Sequence, residues 1–367
     1  MMTAQVRRIE SPVGAEIVID GRRYVNFGGS SYLGLRDIAE ILDAGVDALR
    51  ACGSGYQFPR EFFLATRAHL EAESAAASFF GSQAALYLPS GYLFGSAAIA
   101  ALRSRFAAIF FDEWAHHSLR DAIAASGVPS HAFRHLDPDD LELKLKANLR
   151  ANDKPLVVTD GLFATFGDIA PLNVYTAVVM RYSGRLLVDE SHSFGVLGNT
   201  GRGAIEHHQL PASSALVGGS TCKALGAAGG IIPASEEQVA ELRATPTVRG
   251  ASSGLPAAAA MCARSLRYIH QHPELLRRLR TNTAYMKRGL RKIGLEVGDS
   301  IAPIATFTIG THASMQALQQ RLMSDGIHVF HTKYIGAGPE GAIRCGIFAD
   351  HTSEHINRLT EALSRVL

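Results

Sequence analysis

Along most of the chain, short apolar runs of strand length alternate with longer stretches whose apolar residues recur at helical spacing. Runs at 85–88, 107–111, 156–159, 186–188, 215–217 and 230–233 predict strands with little polar alternation. Such runs suit strands covered on both faces, so they predict a mostly parallel sheet between helical layers. Segment 17–25 reads differently. Ile17-Val18-Ile19-Asp20-Gly21-Arg22-Arg23-Tyr24-Val25 predicts a hairpin turning at Asp20-Gly21, a pair that accepts positive φ. Toward the C-terminus, Leu276, Leu279, Met286, Leu290 and Ile293 share one face of a long helix predicted over 273–293, with Pro273 in its first turn. A strand is predicted over 306–309, a helix over 315–323, and a last helix from about Ser353 with Ile356, Leu359, Leu363 and Val366 on one face. The fold class is α/β. The expected divisions are an N-terminal arm over 1–40, a large domain over 41–270 and a smaller α+β domain over 271–367.

Composition narrows the function classes. The 367 residues are 47% hydrophobic, enough for a large core and a second domain, and the formal net charge is only +2. No polybasic surface for nucleic acid or an anionic membrane is indicated. Cys52, Cys222, Cys262 and Cys345 lack metal-type spacing and read as reduced thiols; no metal site is expected. Met1-Met2-Thr3-Ala4-Gln5-Val6-Arg7-Arg8 has no apolar leader region, and no uninterrupted apolar stretch is long enough to span a bilayer. The expectation is a soluble, cytoplasmic protein with no integral membrane segment and no nucleic-acid partner.

The candidate chemistry lies just after the predicted strands, where open α/β sheets bind ligands. Leu186-Leu187-Val188-Asp189 is followed by Glu190-Ser191-His192-Ser193. Further on comes Gly219-Ser220-Thr221-Cys222-Lys223-Ala224-Leu225-Gly226, a lysine among small residues. An apolar strand ending in Asp, then a lysine with close backbone around it, is the arrangement by which an enzyme of fold type I holds pyridoxal phosphate (PLP). The amine forms an imine with the cofactor aldehyde, and the carboxylate keeps the pyridinium nitrogen protonated. Taken singly, Lys223 reads as a solvated loop lysine and Asp189 as a turn residue. Ser90-Gly91-Tyr92 stands at a strand-to-helix junction that can offer N–H groups to a phosphate, although most such junctions bind nothing. His116, in Asp112-Glu113-Trp114-Ala115-His116-His117-Ser118, can stack on a cofactor ring or simply be a loop histidine; Trp114 can equally be packing. His192 can reach the cofactor's phenolic oxygen if Asp189 reaches the ring nitrogen, and otherwise packs. Asp160 can cap its own loop. Arg344, in the apolar stretch Ala342-Ile343-Arg344-Cys345-Gly346-Ile347, needs an anion if it faces inward and none if it faces water.

In this order the motifs resemble those of the α-oxoamine synthases, the PLP-dependent acyl-CoA:amino acid C-acyltransferases. The resemblance runs from about Val18 to the C-terminus. It takes in Tyr32-Leu33-Gly34-Leu35, Gly53-Ser54-Gly55, Ser90-Gly91-Tyr92, Thr159-Asp160-Gly161, Gly167-Asp168-Ile169-Ala170-Pro171-Leu172, Asp189-Glu190-Ser191-His192-Ser193, Gly201-Arg202-Gly203, Lys223-Ala224-Leu225-Gly226 and Ala349-Asp350-His351-Thr352. It implies a PLP-dependent transferase of fold type I. Lys223 would carry the cofactor and act as acid and base, Asp189 would pair with the ring nitrogen, His192 would meet the phenolic oxygen and His116 would stack on the ring. Ser90, Gly91, Tyr92, Ser220 and Cys222 would hold the phosphate, with Ser253 reaching it from the second subunit of a homodimer. Arg344 would bind the substrate carboxylate. Ser30 stands where the family has a substrate-contacting Asn, Leu64-Ala65 replaces Ser-Gly before Thr66, Ala164 and Cys222 each replace a Ser, and the mouth is aromatic (Tyr56, Phe58, Phe62, Phe63).

The implied reaction is decarboxylative condensation of an α-amino acid with an acyl-CoA, giving an α-aminoketone, CoA and carbon dioxide. His192-Ser193 resembles the alanine- and serine-using members more than the glycine-using ones and favours the 8-amino-7-oxononanoate synthase type. Aromatic residues at the mouth favour an apolar acyl chain, as in the serine palmitoyltransferase and autoinducer-synthase types. Two further alternatives are a PLP aminotransferase or aldolase on the same fold, and a partner subunit without catalysis.

Overall fold

A computed structural model describes residues 6–55, 58–62 and 64–366. The chain divides into two compact units: residues 38–163 with 169–273, and residues 1–37 with 164–168 and 274–367. The breaks at 37/38 and 273/274 lie beside the expected boundaries near 40 and 270. The arm, however, clusters with the C-terminal segment, and so does the five-residue stretch 164–168.

The arm and C-terminal unit contains β1 (Glu16–Ile19) and β2 (Arg22–Asn26), paired antiparallel across the expected Asp20-Gly21 turn, whose φ angles are 48° and 75°. The large unit is built on a seven-stranded sheet of β3 (Ala84–Leu88), β4 (Ala108–Asp112), β5 (Ser130–Phe133), β6 (Pro155–Asp160), β7 (Arg185–Asp189), β8 (Ala215–Ser220) and β9 (Gly230–Ala234). Their order is β3-β9-β8-β7-β6-β4-β5. Only β9 is antiparallel to its neighbours, β3 and β8; the other pairs are parallel. All six expected strands are present. β5 was not expected: it pairs only with β4 at the sheet edge, and its Ser-His-Ala-Phe sequence is fully buried only at Phe133. Leu86, Leu88, Ile109, Leu156, Val158, Leu187, Leu216 and Ile232 pack one face of the sheet against helices Leu93–Leu102 and His117–Ser126. Elsewhere in this unit, helix Pro256–Gln271 packs against helices Ala39–Cys52 and Arg67–Phe80.

The other unit continues with β10 (Ile304–Phe307), β11 (Ile327–His328), β12 (Phe330–Thr332) and β13 (Ala342–Gly346). β10, β13 and β12 form an antiparallel sheet, while β11 pairs parallel with β2. That pairing is why the arm belongs here. The strand expected over 306–309 is displaced two residues toward the N-terminus, because pairing with β13 ends at Phe307. The long helix is Glu274–Lys292, so Pro273 precedes it and Ile293 follows it. Helices His312–Ser324 and Ser353–Ser364 complete the unit, leaving Val366 beyond the last. Among the described residues no helix is long and apolar enough to cross a membrane.

Candidate active site

In the large unit the chemistry-bearing residues converge on the C-terminal ends of parallel strands. Strand register puts Asp160 beside Asp189 and Asp189 beside Gly218, so the last residues of β6 and β7 align with β8. Asp189 is 3% exposed, and its Oδ1 accepts the Ser191 amide at 2.8 Å. Ser191 Oγ in turn accepts the Ser220 amide at 2.8 Å, tying the loop after β7 to the end of β8. Lys223 follows three residues later on a tight loop, closed by Thr221 Oγ1 to Ala227 O (2.7 Å) and Gly226 N to Lys223 O (3.1 Å). His192, three residues past Asp189, is buried.

His116 caps helix His117–Ser126. Its amide donates to Asp160 Oδ2 at 2.9 Å, and its Nδ1 accepts the Ser118 amide at 3.1 Å. An amide can only donate, so the neutral ring carries its proton on Nε2. Burial holds the imidazole below its ordinary pKa; Asp189 opposes that shift and Lys223 adds to it. Asp160 is driven well above the usual carboxylate range, first by burial and then by Asp189, while Lys223 pulls the other way. These mutual influences place Lys223, Asp189, His116 and Asp160 in one electrostatic neighbourhood. Trp114 stacks on His135 at 3.9 Å, and His135 Nδ1 meets Asp112 Oδ1 at 2.9 Å; this is packing.

Ser90, Gly91 and Tyr92 link β3 to helix Leu93–Leu102, whose N-terminus has no side-chain cap. A Cβ on Gly91 would lie 2.3 Å from Ser220 Cα, so glycine lets this junction touch the loop that leads to Lys223. Ser220 Oγ and Cys222 Sγ lie 2.7 Å apart. Tyr92 is exposed and its ring stands edge-on to His116 at 6.1 Å. Ser253 is 1% exposed within its own chain, so its hydroxyl does not lie at a free surface.

Arg344 and Ser30 belong to the other unit. Arg344, on β13, is 8% exposed. Its Nε donates to Ala164 O (2.6 Å), Nη1 to Gly29 O (3.0 Å) and Nη2 to the Tyr32 hydroxyl (3.3 Å). Ser30 lies in the intervening turn, where its carbonyl accepts the Tyr32 amide at 2.8 Å. Burial raises the Tyr32 pKa and Arg344 opposes the rise, so Tyr32 stays a neutral phenol.

A family model for class I and II aminotransferases matches residues 22–363. The chain is 34% identical to 8-amino-7-oxononanoate synthase of Methylococcus capsulatus over 98% of its own length and 93% of that protein's. It is 30% identical to the enzyme of the same name from Symbiobacterium thermophilum, again over 98% and 93%. Among solved structures, a serine palmitoyltransferase from S. paucimobilis with PLP–myriocin bound superposes with a TM-score of 0.92 at 25% identity, covering 98% of this chain and 92% of that one. The chain belongs to the class I and II aminotransferase family. Within it, it is an α-oxoamine synthase, a PLP-dependent acyltransferase of fold type I.

The residues of this α-oxoamine synthase fit its cofactor. Asp189 is a buried carboxylate with no ion pair among the described residues, the environment that a cationic ring nitrogen would complete. The touching loops at Gly91 and Ser220 form a small-residue cradle at an uncapped helix start, suited to a phosphate. The sequence had singled out Lys223, Asp189, His192, His116 and the Ser90–Tyr92 junction. It missed Tyr32 as an Arg344 partner and Ser118 as the residue that fixes the His116 tautomer. It also missed Glu190, wholly buried beside Asp189 with its carboxylate on the Ala204 amide (2.8 Å). Tyr32 and Glu190 lay inside quoted motifs, but nothing in sequence spacing distinguished their side chains from their neighbours'.

Proposed function

We propose that this α-oxoamine synthase condenses alanine or serine, in preference to glycine, with an acyl-CoA to give an α-aminoketone, CoA and carbon dioxide. Arg344 carries the reading. None of its hydrogen-bond partners among the described residues is an anion, and three of its five N–H groups are occupied. A buried guanidinium with two donors to spare calls for a carboxylate of the kind an amino acid supplies. Bound PLP supplies an electron sink at the amino acid's α-carbon. The Lys223 amine takes the α-proton and returns it to the product. Asp189 would pair with the cofactor's ring nitrogen, and His192 would meet its phenolic oxygen. Nε2–H of His116 donates to the thioester oxygen as charge develops there. The new bond joins the α-carbon to the thioester carbonyl carbon, the C–S bond breaks, CoA departs as thiolate, and the original carboxyl group leaves as carbon dioxide.

The relatives named 8-amino-7-oxononanoate synthase support that subfamily for this chain. A second reading, an apolar medium or long acyl chain, rests on Phe58, Phe62 and Leu64, which are 52%, 58% and 53% exposed. Tyr56 and Phe63, also expected at this mouth, lie outside the described residues. A homodimer and a cytoplasmic location complete the proposal. The exposed face formed by Leu42, Val46 and Leu49 supports the first, and four unpaired cysteines support the second. CoA release from acetyl-, succinyl-, pimeloyl- and decanoyl-CoA with alanine, serine and glycine tests the reaction. Turnover is expected with alanine or serine and a pimeloyl or decanoyl donor. Preference for glycine with acetyl- or succinyl-CoA overturns the substrate reading, and amino-group transfer without CoA release overturns the reaction.

A further inference from the structure

We propose that Lys287, acting through Ser300, positions Arg344 for the amino-acid carboxylate. The proposal rests on the carboxylate reading of Arg344 given above. Lys287 lies on the buried face of helix Glu274–Lys292 and is 3% exposed. A buried ammonium needs partners. Its Nζ donates to Ser300 O at 2.6 Å and lies 3.4 Å from Ser300 Oγ. Burial first, then Arg291, lowers its pKa to about 8, against the opposing pull of Asp299 and Asp168.

Ser300 passes the constraint on. Its Oγ donates to Gly167 O at 2.7 Å. Gly167 has φ +79°, and a Cβ there would meet Ala302 and Ile304 Cβ atoms at 3.1 Å, so no other residue fits without strain. The segment that begins at Ala164 is held at two more points: Thr165 Oγ1 donates to Ile335 O (2.6 Å), and Thr306 Oγ1 donates to Thr165 O (2.5 Å). Thr306 is the cross-strand partner of Arg344 in the β10–β13 ladder. The end product of this chain of contacts is the Ala164 carbonyl, which accepts Arg344 Nε at 2.6 Å. A guanidinium fixed at Nε cannot rotate its remaining fork away from a bidentate ligand. Lys287 and Ser300 are therefore positioning residues: they touch no substrate and act by fixing the acceptor that aims Arg344.

The test is a spectral titration of the holoenzyme with alanine, together with steady-state kinetics for the acyl-CoA, in Ser300→Ala, Ser300→Thr, Lys287→Met and Arg344→Ala. Ser300→Ala and Lys287→Met are expected to weaken alanine binding about fivefold, the effect of one lost hydrogen bond. The acyl-CoA KM should stay unchanged, and Ser300→Thr, which keeps the hydroxyl, should bind alanine as the parent does. Unchanged alanine binding in Ser300→Ala overturns the proposal, as does an equal rise in the acyl-CoA KM. Arg344→Ala separates the two layers. Alanine binding that survives it overturns the carboxylate reading itself; weakening in Arg344→Ala but not in Ser300→Ala overturns only the linkage.

Discussion

Glu190 shows how single residues in this protein take their meaning from what surrounds them. Its carboxylate accepts the amides of Ala204 (2.8 Å) and Ile205 (3.2 Å) and the hydroxyl of Ser193. Two motif glycines make room for it: a Cβ on Gly161 or on Gly203 would meet Glu190 Oε2 at 2.7 Å, and Gly203 has φ +108°. Burial pushes Glu190 up from an ordinary 4.5 to about 7, partly offset by these hydrogen bonds. A raised carboxyl pKa contributes stability that is full below pH about 4.5 and lost as pH rises through about 7, because the folded state then holds a proton that the unfolded state has released. Glu190→Gln keeps the shape without the titration. The parent's stability relative to Glu190→Gln, from urea melts at pH 4.5, 6 and 7.5, is expected to fall across that window. Parallel profiles would contradict the account. Lys223, Asp189 and His116 were legible in the sequence because strand-end position and order mark them. Glu190 and Lys287 were not, because their roles depend on burial by segments far away in the chain.

At the scale of elements, the sheet was legible wherever both faces of a strand are covered. Strand β7 is apolar from Leu186 to Val188 and buried throughout that run. β5 was not legible, since an edge strand with one fully buried residue has no periodic signature. β11 and β12, at two and three residues, are too short to show one. The helix Ala39–Cys52 carries the opposite signal. Leu42, Val46 and Leu49 recur at helical spacing, yet they are 40%, 43% and 46% exposed. An apolar stripe left in water, on a helix whose other side packs on Pro256–Gln271, suits a second copy of the chain. Val46→Glu is expected to convert a dimer to monomers and to remove most activity, as read by sedimentation velocity. An active monomer of the parent protein would overturn this prediction.

The whole molecule joins distant parts of the chain in ways that local pattern does not announce. The arm enters the C-terminal unit because β2 pairs with β11, putting Val25 beside Ile327. The stretch 164–168 leaves the large unit's chain to supply an acceptor for Arg344. Neither pairing follows from hydrophobic periodicity, which reports which face of an element is covered but not by which segment. The chemistry at the sheet rests on one assignment above all others, that Lys223 is the lysine carrying the cofactor. The direct measurement is borohydride reduction of the holoenzyme followed by peptide mapping. The reduced pyridoxyl group is expected on Lys223, with complete loss in Lys223→Ala; a pyridoxyl group found on any other lysine of the native enzyme would overturn the assignment.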